Sequence, residues 1–135
     1  CKLDLSERKS HAWAYALHRD LLRLRREDPV LRGQGAGGID GAVFSDAAFL
    51  IRLFGAAEDD RLLLVNLGRD LKLPAVQEPL IAPPAGTRWS ALWCSEDPRY
   101  GGLGSPSIET REGWRVHGQS LVLLGPTPIQ SRRRN

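Results

Sequence analysis

The sequence predicts a mainly β fold, an antiparallel β-sandwich headed by one α-helix. Three observations carry that expectation. Apolar residues recur at helical spacing only in the first 28 positions. From residue 42 the period changes to two. Short apolar runs then follow one another with Gly and Pro between them, the pattern of a sandwich.

The helix comes first. Asp4 is placed to cap it, with Glu7 three residues on as in a capping box and Ser6 as the competing cap. Trp13, Leu17, Leu21 and Leu24 make an apolar stripe, and Arg8, Arg19, Arg23 and Arg26 occupy much of the remainder. Asp28-Pro29 ends it, because the residue before Pro is pushed out of the α region. A helix of this kind needs a second layer on which to bury its stripe. The four stripe residues are therefore expected to form an apolar patch that is exposed or covered by a partner.

Residues 33–41 contain five Gly and read as a flexible connector. A phosphate-binding loop is excluded by context, since no strand precedes the segment and no G-K-[ST] ends it. Residues 48–54 alternate as a strand, and 55–60 read as a solvated hairpin loop with Glu58, Asp59 and Asp60 at its tip. Residues 61–67 are a continuous apolar run suited to a central strand. Residues 71–73, 87–93, 114–116 and 121–124 complete the strands, the first ending at Pro74. The expected organisation is a helix over 1–32, the connector over 33–41, a sandwich over 42–125 and a disordered basic tail over 126–135.

Composition bounds the function. At 135 residues the chain fits one domain, and its first residue, Cys, suggests a fragment or processed product. Nothing resembles a signal peptide, and no apolar run approaches the roughly 20 residues of a membrane span. Cys1 and Cys94 are read as reduced thiols of a cytoplasmic protein. The net charge of +3 comes largely from Arg132, Arg133 and Arg134. Without interleaved aromatics these read as a frayed tail rather than a nucleic-acid patch. No metal-ligand spacing or cofactor motif is present, so neither is expected.

Candidate chemistry is sparse. His11, His18 and His117 stand near no nucleophile motif. Glycoside hydrolysis needs two carboxylates facing one bond. Glu96 and Asp97 are adjacent and point apart on an extended backbone, while Asp97-Pro98 reads as a turn initiator with Tyr100 as a second anchor. No catalytic residue is therefore assigned. Trp89 and Trp93, four apart, are expected on one strand face, as core or interface residues rather than a sugar-stacking platform. Trp89, Trp93, Glu96, Asp97 and Tyr100 are the candidate sugar or interdomain contacts.

Three segments carry a family resemblance. Leu17-His18-Arg19-Asp20-Leu21-Leu22-Arg23-Leu24-Arg25-Arg26-Glu27-Asp28-Pro29-Val30 resembles the last helix of α-amylase superfamily barrels. Arg61-Leu62-Leu63-Leu64-Val65-Asn66-Leu67-Gly68 resembles the central strand of that superfamily's C-terminal domain. The segment from Arg88 through Trp93 and Glu96-Asp97-Pro98-Arg99-Tyr100 to Gly102 is similar to the final domain of maltooligosyl trehalose trehalohydrolases. The resemblance implies that the helix is the last of a (β/α)₈ barrel absent here, and that this barrel is the sandwich's partner. It implies a structural, non-catalytic domain of an enzyme that releases trehalose. The alternatives are a carbohydrate-binding module for α-glucans and the equivalent domain of a glycogen-branching or debranching relative.

Overall fold

A computed structural model describes residues 4–73, 78–104, 108–110 and 113–129. In chain order it contains helices α1 (Glu7–Ser10), α2 (Ala12–Glu27) and α3 (Pro29–Arg32). Strands β1 (Ile39–Ser45), β2 (Ala48–Leu53), β3 (Arg61–Asn66), β4 (Leu71–Leu73), β5 (Thr87–Cys94), β6 (Glu109–Thr110), β7 (Gly113–Val116) and β8 (Ser120–Pro128) follow. The strands form two antiparallel sheets, β1-β2-β3-β8-β5 and β4-β7-β6.

The alternation written in the sequence decides which residues meet. Leu50 pairs with Leu64 and Leu64 with Val122. Arg52 pairs with Leu62 and Leu62 with Leu124. These residues line the inner face of the larger sheet, and paired residues on adjacent strands share a face. With Trp89, Cys94, Ile81 and Val116 the apolar members form the buried core. The opposite face carries Phe49, Ile51, Leu63, Val65, Leu121 and Leu123, of which Val65 and Leu123 are buried. Asn66, 1% exposed, ties the sheets together: its amide donates to the Val116 carbonyl at 3.1 Å and the Arg69 carbonyl at 2.8 Å.

Two elements extend past their expected bounds. β1 begins at Ile39, inside the Gly-rich segment, and β8 continues to Pro128. β1 lies at a sheet edge, and Gly41 within it weakens the strand signal. The tail arginines, Cys1 and Pro74 lie outside the described residues.

The single expected helix is divided. Asp4 uses its carboxylate on the N–H and hydroxyl of Ser6, at 2.9 and 2.6 Å, and α1 begins at Glu7. His11 then leaves the α region at φ −118, ψ 44, and α2 starts after it. Asp28 ends α2 as expected and immediately begins α3. With Pro29 in the first helical position, the Asp28 carboxylate accepts from the N–H groups of Val30 and Leu31, both at 3.0 Å. Its other oxygen accepts from Arg61 Nε at 2.8 Å, which ties the helical end to β3.

The β2–β3 connection corrects the solvated-tip expectation for Asp60, whereas Glu58 is exposed as expected and Asp59 is half-exposed. A 3-10 turn at Ala56–Glu58 folds Asp60 back onto the sheet, where it is 5% exposed. Asp60 accepts from Arg52 at 2.7 and 3.0 Å, and Asp59 accepts from Arg61 at 2.6 Å. Arg52 also donates to the Leu80 and Ala82 carbonyls, and its guanidinium lies over the rings of Trp89 and Phe54. The negative charges are counter-ions to two buried arginines. Among the described residues, no helix is long and apolar enough to cross a membrane.

Candidate functional site: the helix–loop junction and the open side of the sandwich

The candidate residues divide because β5 is bulged. Ala91 pairs with Leu124, yet Trp93 pairs with Leu123, so Leu92 is an extra residue. The extra residue reverses the alternation. Trp89 and Cys94 face the core, while Trp93 faces outward with Leu123. The expectation that Trp89 and Trp93 share a face is therefore corrected. Trp89 is 8% exposed, and its indole N–H donates to the Ile81 carbonyl at 2.7 Å.

On the outward side, Trp93, Asp97 and Tyr100 are brought together. Asp97 begins the 3-10 turn Pro98–Tyr100 by accepting from the Arg99 N–H at 2.9 Å, and its oxygens take the Arg99 guanidinium at 3.1 and 3.0 Å. Gly101 closes the turn at φ 81, a conformation that favours glycine. Gly102 lies so close to the Glu96 main chain that a side chain there would collide with it. The turn thus delivers the Tyr100 hydroxyl to α2. It accepts from the Trp93 indole at 3.2 Å and donates to Asp20 at 2.8 Å.

Asp20 is the residue that sequence reading missed. It is 3% exposed and also accepts from Arg99 at 3.3 Å and Arg19 at 3.4 Å. The available signal was position: Asp20 lies three residues after Leu17 and four before Leu24, within the apolar stripe. The stripe itself is partly covered. Leu17 and Leu24 are half-buried, while Trp13 is 52% and Leu21 40% exposed.

The electrostatics favour a charged Asp20 beside a neutral Tyr100. The Tyr100 hydrogen bond lowers the Asp20 pKa from its ordinary 3.8; burial opposes this, and Arg23 and Arg19 assist it. Burial, followed by the bond to Asp20, raises the Tyr100 pKa from its ordinary 10.0. For Asp20 the folded pKa lies below the unfolded one. Its contribution is present above 3.8 and lost as pH falls through the lower folded value. For Tyr100 the contribution is present below 10.0 and lost as pH rises through the higher folded value. The α2–loop contact should hold between these limits and loosen beyond both, read as a change in Trp93 emission that Tyr100→Phe removes at the alkaline end.

Glu96 points to a different place. It lines a cleft of about 290 Å³ on the open side of the sandwich, with Arg88–Ala91 of β5 on one wall and Glu109, Trp114 and Val116 of the smaller sheet, with His117 just after β7, on the other. The adjacent carboxylates do not face one another across a bond: Asp97 is committed to Arg99, and Asp28, Asp59 and Asp60 are committed to Arg61 and Arg52. His18 Nδ1 meets the Ala14 carbonyl on its own helix, and His117 stands 3.7 Å from Asp70. Among the described residues no group of three or more His, Cys, Asp or Glu is placed to hold a metal ion. The buried Cys94 thiol is free and accepts from the Glu96 N–H at 3.4 Å.

The malto-oligosyltrehalose trehalohydrolase of Deinococcus radiodurans is 41% identical over 85 residues, a match covering 61% of this chain and 14% of that relative. No solved structure matches. The family model described as a domain of unknown function, DUF3459, matches residues 36–123. It takes in the sandwich from just before β1 into β8. The chain therefore belongs to the DUF3459 family, the C-terminal domain of α-amylase family enzymes.

Proposed function

We propose that this chain is the non-catalytic C-terminal domain of a cytoplasmic, trehalose-releasing glycoside hydrolase acting on malto-oligosyltrehalose. The observation that carries the reading is the 41% identity to the Deinococcus trehalohydrolase. The geometry supports a structural share. Asp97 in the candidate loop, Asp59 and Asp60 in the β2–β3 turn and Asp28 at the end of α2 are tied to arginines that hold the fold, which leaves them unsuited to attack or protonate a glycosidic bond.

In this reading α1 to α3 belong with the catalytic barrel, the Gly-rich segment links them to the sheets, and the sandwich supports the barrel from one side. Trp13 and Leu21, exposed on α2, supply the apolar surface on which the barrel rests. The Asp20–Tyr100 and Asp28–Arg61 ties set that helix against the sandwich, so barrel and sandwich keep one relative position.

The test uses both chain and parent enzyme. The purified 135-residue chain should release no trehalose from malto-oligosyltrehalose. In the parent, Asp97→Asn should leave kcat unchanged, because its carboxylate orders a turn. Trehalose release by the chain, or a fall of about 10²–10⁴-fold in kcat of the kind a lost general acid produces, would overturn the non-catalytic reading.

A further inference from the structure

We propose that the cleft on the open side of the sandwich binds the terminal sugar rings of an α-glucan, at a distance from the bond that reacts. The proposal rests on the glucan-processing reading above for the identity of the sugar, and on the cleft for everything else.

At about 290 Å³ the cleft lies at the lower end of the range for small-molecule pockets, about 300–1,000 Å³, which suits one or two sugar rings rather than a long chain. Its wall joins an aromatic surface to polar groups that lack partners. Trp114 is half-buried, and its indole N–H makes no hydrogen bond among the described residues. The Nε2 of His117 is buried and has no partner among them either. A buried polar atom without a partner calls for an explanation, and a sugar hydroxyl bound in the cleft that His117 lines would supply one. Among the described residues Glu96 Oε2 accepts only a long bond of 3.4 Å, from the Leu103 N–H, so its carboxylate can accept from hydroxyls in the cleft. Arg88 and the carboxylates of Glu96 and Glu109 put both signs of charge on the wall. That mixture suits a neutral ligand rich in donors and acceptors better than an ion. Along one wall runs β5, paired with β8 alone among the described strands, whose free edge adds main-chain donors and acceptors.

The position also fits. The cleft lies on the inner side of β5, with Trp89 and Cys94, whereas Trp93 and Tyr100 face α2 on the other side. A partner resting on α2 leaves the cleft open. The site can therefore hold a glucan while the parent's reacting centre works elsewhere.

Titration of the chain with maltotriose, followed by calorimetry and by two-dimensional NMR, tests this. Saturable binding is expected, with the largest shifts at Trp114, His117 and Glu96. Trp114→Ala should weaken it about tenfold, the upper range for an aromatic contact. Because Trp114 also packs against the core, Glu96→Gln provides a variant that keeps the packing, and it should weaken binding severalfold. Trp93→Phe, on the opposite face, should leave binding unchanged. Absence of saturable binding by the folded chain, or binding that neither variant weakens, would overturn the proposal. A parent enzyme that releases trehalose while this chain ignores maltotriose would end this inference alone. A chain that binds maltotriose within a parent acting on another glucan would end the trehalohydrolase reading alone.

Discussion

Trp89→Ala should destabilise the folded chain by about 3–5 kcal/mol, the usual cost of truncating a large core aromatic. Against a total of about 5–15 kcal/mol for a domain, that loss is severe. The ring sits within the core with Leu50, Leu62, Leu64 and Leu124. The Arg52 guanidinium lies 5.5 Å from its centroid. Removing it opens a cavity, strips Arg52 of an aromatic partner and leaves the Ile81 carbonyl without its donor. Trp93→Ala should behave differently. Trp93 is half-buried on the far side of the bulge, so its loss should loosen α2 from the loop while costing less global stability. Urea titrations would show a large drop in midpoint for the first variant and a smaller one for the second. Equal drops would place both rings in one core and contradict the bulge.

Arg52→Met should cost about 3–5 kcal/mol, as should Asp60→Leu, since each leaves the other charge buried without its partner. The two side chains are 11% and 7% exposed and meet at 2.7 Å. Arg52 also satisfies the Leu80 and Ala82 carbonyls, and Asp60 accepts the Gly55 N–H at 2.9 Å, so the pair pins two connections to one end of the core. Replacing both residues together should recover much of the loss, because no unpaired charge then remains. Denaturation of the two single variants and the double variant would measure this coupling directly. Single variants within about 0.5 kcal/mol of the parent chain, the range of ordinary surface substitutions, would show the pair to be solvated.

How far the sequence spoke for the fold depended on whether a residue's place was set locally. The switch of period near residue 42 was enough to predict a helix followed by strands, and the apolar run at 61–67 forms a strand over Arg61–Asn66 between two partners. Asp28-Pro29 ended the helix by steric necessity. The departures came from geometry that no local pattern records. One extra residue at Leu92 sends Trp93 to the other face, and a bulge leaves no mark on a spacing of four. Asp60 reads as a loop-tip acid, but Arg52, an unexplained charge in an apolar strand, meets it across eight residues. Asp20 is buried only because a turn about 80 residues later brings Tyr100 to it. Of the candidate contacts, Trp93, Asp97 and Tyr100 converge on the helix, Glu96 lies at the cleft, and Trp89 belongs to the core. The turn chemistry of Asp97-Pro98 was visible in advance because it is local; the destination of the turn was not.

α2 and the sandwich form one unit, joined through Asp20 and Asp28. A helix of 16 residues is marginal on its own in water. Amide hydrogen exchange across α2 tests this most directly. In the chain as it stands, the amides of residues 17–27 should exchange far more slowly than those of a peptide of the same sequence, and Asp20→Ala should return much of that segment toward the peptide rate while the amides of β3 and β8 stay protected. If α2 exchanged at the peptide rate in the unaltered chain, the helix would be free of the sandwich, and the account of a joined structural unit would be wrong.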